Sequence, residues 1–196
     1  MVTISTYNAR TLASESSIEE LIMQARTIRY GVTGIAEMRR RHPFDAVYDT
    51  GELFLGTCDN RGVGGVGVPV STSQSMNIDS FEQLTTRIGR SRVKRRGSIP
   101  ALKIFVVYAP TSNYNEAEVE AFYMNLEKFY REDQTFSKVI IGDFNAKIGP
   151  RKTSEGRHIG THGLDWNEQG RKINTMSDLA PELKTSGLES FEEHRR

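Results

Sequence analysis

Cysteine is nearly absent: Cys58 is the only one in 196 residues. One thiol allows no internal disulfide and no thiolate zinc cluster, and a reducing compartment fits best. Long apolar runs are missing too. The opening MVTISTYNAR lacks the core of a signal peptide, and nowhere do the ~20 consecutive apolar residues of a membrane-spanning helix occur. Charge of one sign is not in excess either, since 26 Lys and Arg stand against 25 Asp and Glu. A global electrostatic pull on nucleic acid is thereby excluded, and any such recognition has to be local. What is present, 37% hydrophobic and 26% charged residues, is the balance of a globular chain, and the length suits one domain with a substantial core. The chain reads as soluble and intracellular.

Two strand-helix-strand units stand out. Val2 to Tyr7 alternates like a strand and stops at Asn8. Ser17 with Glu20 forms a capping-box pattern, and Ile18, Leu21, Ile22, Ala25 and Ile28 recur at helical spacing, which predicts a helix from Ile18 to Arg29. Gly31 to Ala36 then reads as a buried strand ending at Glu37. In the second unit, Lys103 to Tyr108 (KIFVVY) is a strand, Asn115 with Glu118 opens a helix to about Arg131, and Val139 to Gly142 is a strand that stops at Asp143.

Between the units, Phe44 to Leu55 and Arg61 to Val70 read as shorter strands. RGVGGVGVPV is too rich in glycine for a helix, and no Lys-Ser or Lys-Thr follows it as a phosphate loop requires. Arg87 to Arg96 (RIGRSRVKRR) concentrates the positive charge. It reads either as a solvated strand edge or hairpin, guarded by its cations, or as a DNA-backbone contact through Arg87, Arg90, Arg92, Lys94, Arg95 and Arg96. Its part from Arg90 to Arg96 fits a nuclear import signal. His158 and His162 lie among glycines and read as a loop rather than a zinc site.

A crossover helix returns the chain parallel to its first strand, so both strands of each unit finish at the same end of the sheet. Ligand sites in α/β sheets collect there. Asn8, Glu37, Tyr108, Asp143 and Asn145 all fall at such ends. Two carboxylates with two amides and a phenol suit metal-assisted phosphodiester cleavage: magnesium prefers oxygen ligands and takes one or two carboxylates plus substrate phosphate. A carboxylate can take the proton of the attacking water, and Asn and Tyr orient groups without adding negative charge.

TYNARTL around Asn8, IAEMRRR around Glu37, VVYAPT around Tyr108, GDFNAKIG around Asp143 and Asn145, and THGLDWNEQGRKI around Asn167 together resemble the endonuclease/exonuclease/phosphatase superfamily, which includes DNase I and the apurinic endonucleases. In this order they look most like the endonuclease domain of non-LTR retrotransposons and the craniofacial development protein group. The similarity spans about Thr3 to Ile173, giving a domain over 1–173 and a polar tail over 174–196. It implies an α/β, DNase I-like four-layer α/β/β/α sandwich that hydrolyses DNA phosphodiesters with Mg²⁺ or Mn²⁺. By the same resemblance Glu37 is the metal ligand, supported by Asn8; Asp143 activates water, Asn145 orients it, Tyr108 contacts the scissile phosphate, and Asn167 shapes the active-site loop.

The resemblance also implies a further Asp and a final Ser-Asp-His, and this sequence has no Asp-His dipeptide. Ser177-Asp178 is followed by Leu179, and Glu193-His194 is no convincing substitute. The expectation is thus a fold incomplete at its C-terminus, with weak or no activity. The alternatives are a non-catalytic nucleic-acid-binding remnant and, within the same superfamily, a phosphatase or lipid phosphodiesterase.

Overall fold

The structure is a computed structural model that describes residues 4–10, 12, 14–27, 31–49, 51–75, 77–94, 101–111, 113–134, 137–146 and 167–172. The first unit forms as read: strand β1 (Ile4–Asn8), helix α1 (Glu15–Thr27) and strand β2 (Val32–Ala36), with β1 and β2 parallel and Asn8 opposite Ala36. The helix opens three residues earlier than expected, at Glu15 and not Ile18, so the cap moves from Ser17 to Ser14. Ser14 Oγ accepts from the Ser17 amide at 3.3 Å, while the Ser17 hydroxyl donates to the Ser14 carbonyl at 2.7 Å. Ser14 therefore satisfies one of the free amides of the first turn, and Glu15 stands in that turn, where the helix dipole favours a negative charge.

Phe44 to Leu55 folds as a hairpin of β3 (Phe44–Tyr48) and β4 (Gly51–Leu55). The Arg61 to Val70 reading is only half right. A loop occupies its first half, where Asp59 Oδ1 accepts from the Arg61 and Val63 amides at 2.9 Å each, and strand β5 begins only at Val66 (Val66–Ser71). A short helix α2 (Thr72–Ser75) leads to β6 (Ile78–Thr85), β7 (Ile88–Val93) and β8 (Leu102–Tyr108). Strand β6 escapes the sequence reading because its pairing with β7 shifts register between Ile78 and Phe81, which breaks the two-residue alternation. The second unit closes the described fold: α3 (Glu116–Glu132) is capped by Asn115, whose side chain accepts from the Glu118 amide at 2.8 Å as expected, and β9 (Ser137–Asp143) runs parallel to β8.

The strands make two sheets, ordered β1-β2-β5-β4-β3 and β6-β7-β8-β9. The solvated-edge reading of the Arg87 to Arg96 run is corrected over its described part, Arg87 to Lys94: this stretch belongs to a β6-β7 hairpin, but β7 sits between β6 and β8 and its backbone is paired on both sides. Three apolar seams hold the layers. Ile18, Leu21, Ile35, Leu53 and Leu55 join α1 to the first sheet. Val32, Val66, Val68, Ile104, Val106 and Ile141 fill the gap between the sheets. Phe105, Val107, Val119, Phe122, Leu126 and Ile140 join the second sheet to α3. The layering is therefore α/β/β/α, as the resemblance implies. The 174–196 tail, Arg95, Arg96, His158, His162, Ser177, Asp178, Glu193 and His194 lie outside the described residues.

Candidate active site

The two parallel strand pairs finish at the same rim of the sandwich. Register puts Asn8 beside Ala36, one residue before Glu37, and Tyr108 beside Asp143. One bond joins the sheets there: Asn8 Nδ2 donates to Asp143 Oδ2 at 2.9 Å, between residues 135 apart in sequence. Asn8 cannot turn its amide freely, because its Oδ1 already accepts from the Arg10 backbone amide at 3.0 Å.

Asp143 leaves the strand through a close backbone approach. Gly142 has φ +134, and a Cβ there would lie 2.0 Å from the Val107 carbonyl oxygen. Past Asp143 the chain turns back, with the Asn145 amide donating to Asp143 Oδ1 at 2.8 Å and Asn145 in the left-handed region (φ 49), a conformation asparagine tolerates better than most residues. Asn145 Nδ2 donates to the Ala109 carbonyl at 2.7 Å, so none of these bonds uses its Oδ1. Asn167 pins the turn. Its Nδ2 donates to the Asn145 carbonyl at 2.9 Å and its Oδ1 accepts from the Gly170 amide at 2.9 Å, capping the helical turn 168–172. The buried Gln169 on that turn donates to the Pro110 carbonyl at 3.5 Å. The sequence reading passed over it, and only its place after Asn167 marked it.

Glu37 sits on a tight hook. Met38 is fully buried, its amide donates to the Gly65 carbonyl at 3.2 Å and the Arg39 amide donates to the Gly64 carbonyl at 3.0 Å, while Glu37 and Arg39 both take positive φ (59 and 54). Arg39 is exposed on this hook while Glu37 stays largely covered, and Arg39 Nη2 donates to Glu37 Oε1 at 2.5 Å. Tyr108 is buried beside them. Its phenol is pushed up to about 12, first by burial and then by the Glu37 carboxylate, with Asp143 adding in the same direction and the Arg87 guanidinium opposing. Both carboxylates thus act on one phenol, which stays protonated as a donor at neutral pH. Because the folded value lies above the unfolded one near 10, the associated stability is complete below pH ~10 and declines as pH rises toward ~12. Denaturation midpoints recorded from pH 9 upward are expected to fall less steeply in Tyr108→Phe than in the parent.

The basic residues do not form one surface. Arg87 stacks between the rings of Tyr108 and Tyr114, at 5.2 and 4.7 Å, and donates to the Tyr108 carbonyl at 3.3 Å, which makes it a neighbour of the site. Arg90 lies further along β7, paired with Glu82 at 2.6 Å and with Asp133 at 3.6 Å beside Lys103. Arg92 and Lys94 are exposed beyond it. Among the described residues no three acidic, histidine or cysteine side chains form a cluster. The donor set still fits a hard cation: Glu37, Asp143 and the amide oxygen of Asn8 are all oxygen donors, and magnesium needs only one or two carboxylates.

A four-layer sandwich with these polar strand ends on one rim is a DNase I-like fold. Among solved structures the chain is similar to the endonuclease domain of TRAS1, a telomere-specific non-LTR retrotransposon, at 15% identity and TM-score 0.56, over 89% of this chain and 70% of that one. It is also similar to the AP endonuclease LMAP from Leishmania major, at 12% identity and TM-score 0.57, over 88% of this chain and 65% of that one. No family model and no curated protein matches the chain. At these identities the likeness shows the fold, and at that level it bears out the resemblance to the endonuclease/exonuclease/phosphatase group. No helix among the described residues is long and apolar enough to cross a membrane.

Proposed function

We propose that this chain carries a divalent-metal phosphodiesterase site of the retrotransposon-endonuclease type, directed at DNA. The observation that carries the reading is the Asn8 to Asp143 bond, which draws the ends of both sheets together beside Glu37 and Tyr108. Glu37 would hold Mg²⁺ or Mn²⁺ with Asn8 in support, and the bound ion would neutralise charge developing on the phosphoryl oxygens. Asp143 accepts the proton of the attacking water, and Asn145 Oδ1 orients that water. The Tyr108 hydroxyl donates to a phosphate oxygen, and Asn167 keeps the Asn145 turn in place.

These residues include no acid for the leaving alkoxide, and the sequence contains no Asp-His pair to supply one. Turnover by this chain is accordingly weak or nil. Purified protein with supercoiled plasmid is expected to give slow nicking in Mg²⁺, none in EDTA and none with Glu37→Ala. Nicking that survives Glu37→Ala would overturn the assignment. A folded parent that never nicks would favour a binding remnant, in which DNA affinity falls with salt and weakens when Arg92 and Lys94 are neutralised.

A further inference from the structure

The hook that carries Glu37 also carries a cation of its own. Glu37 is only 15% exposed, and its charge and that of a second carboxylate, Asp143, both act on the Tyr108 phenol. Negative charge gathered this way in a partly desolvated place needs a counter-ion. Among the described residues Arg39 is the cation in ion-pair contact with Glu37, at 2.5 Å, and no cation pairs with Asp143. The next arginine is engaged elsewhere: Arg40 donates to the Leu12 carbonyl at 3.2 Å and lies over the Phe44 ring at 4.9 Å. Arg39 is half-exposed, at 55%. Its backbone is held through its own amide, so the side chain can swing while the hook stays closed.

We infer that Arg39 is the resident counter-ion of Glu37, a positioning residue that holds the carboxylate in place when no metal is bound and that a divalent cation must displace. The inference rests on the metal-site reading above. The guanidinium then opposes metal binding while it keeps the empty site ordered, two effects of opposite sign from one contact.

The test is Mn²⁺ titration followed by electron paramagnetic resonance, without DNA, on the parent, Arg39→Met, Arg39→Lys and Glu37→Gln. Arg39→Met is expected to bind Mn²⁺ roughly two- to fivefold more tightly than the parent, the range an ion pair of this kind allows. Arg39→Lys keeps the charge and should stay close to the parent. A merely structural role for Arg39 would weaken binding instead. Melting supplies a second readout: Arg39→Met should melt roughly 1–4 °C below the parent in EDTA and level with it in saturating Mn²⁺. Equal or weaker Mn²⁺ affinity in Arg39→Met, with Glu37→Gln still abolishing the parent's binding, would overturn the inference alone. A parent that binds no Mn²⁺, or binding untouched by Glu37→Gln, would overturn the metal reading and this inference with it.

Discussion

Asp143→Asn is expected to lower Mg²⁺-dependent plasmid nicking by about 10²- to 10⁴-fold, the contribution of a positioned general base. The substitution keeps the shape and removes the basicity. It also disturbs one hydrogen bond in a foreseeable way. Oδ1 of residue 143 must remain an acceptor for the Asn145 amide, at 2.8 Å, so the new amide nitrogen faces Asn8 Nδ2. Asn8 can reverse its amide only by giving up the Arg10 amide that its own Oδ1 accepts from. The loss of one bond to a charged acceptor near the surface costs about 1–2 kcal/mol, too little to unfold the sandwich. Circular dichroism and a denaturation midpoint should therefore show a folded protein with little nicking. Unchanged nicking would mean that Asp143 is a structural tie between the sheets and not the base.

Gly142→Ala is expected to destabilise the protein by more than about 3 kcal/mol, measured by chemical denaturation. Two effects act together. The backbone at φ +134 is one that L residues rarely adopt, and the added Cβ meets the Val107 carbonyl oxygen at 2.0 Å and the Val107 amide nitrogen at 2.8 Å. Neither of these atoms can retreat, since Val107 belongs to β8 and is paired with both β7 and β9. The relief open to the chain is to move β9, and that carries Asp143 away from Asn8. A loss below about 1 kcal/mol would show that the strand end shifts cheaply and that the position of Asp143 is not held by its backbone.

Much of this was legible in local sequence, and particular residues show why. The two parallel units needed only short-range information: apolar periodicity for the strands and helices, and Asn115 with Glu118 for the cap of α3. A crossover connection then leaves little choice of direction, so Asn8 with Glu37, and Tyr108 with Asp143 and Asn145, fall at strand ends as expected. Local signals failed where two patterns competed. At the start of α1 the capping-box pattern pointed to Ser17, and only the hydrogen bonds put the cap at Ser14. In β6 a bulge erased the alternation on which strand recognition depends.

Sequence order, strand ends and residue chemistry thus placed five polar groups at the ends of two separate sheets, because parallel pairing follows from local connectivity. Nothing local related one sheet to the other. The Asn8 to Asp143 bond, the burial of Tyr108, the stacking of Arg87 on two tyrosine rings and the pairing of Arg90 with Glu82 and Asp133 all come from packing between distant segments. A basic run looks uniform as text. Once β7 is paired on both sides, its successive side chains face different neighbours, and each arginine takes the role that its own surroundings impose.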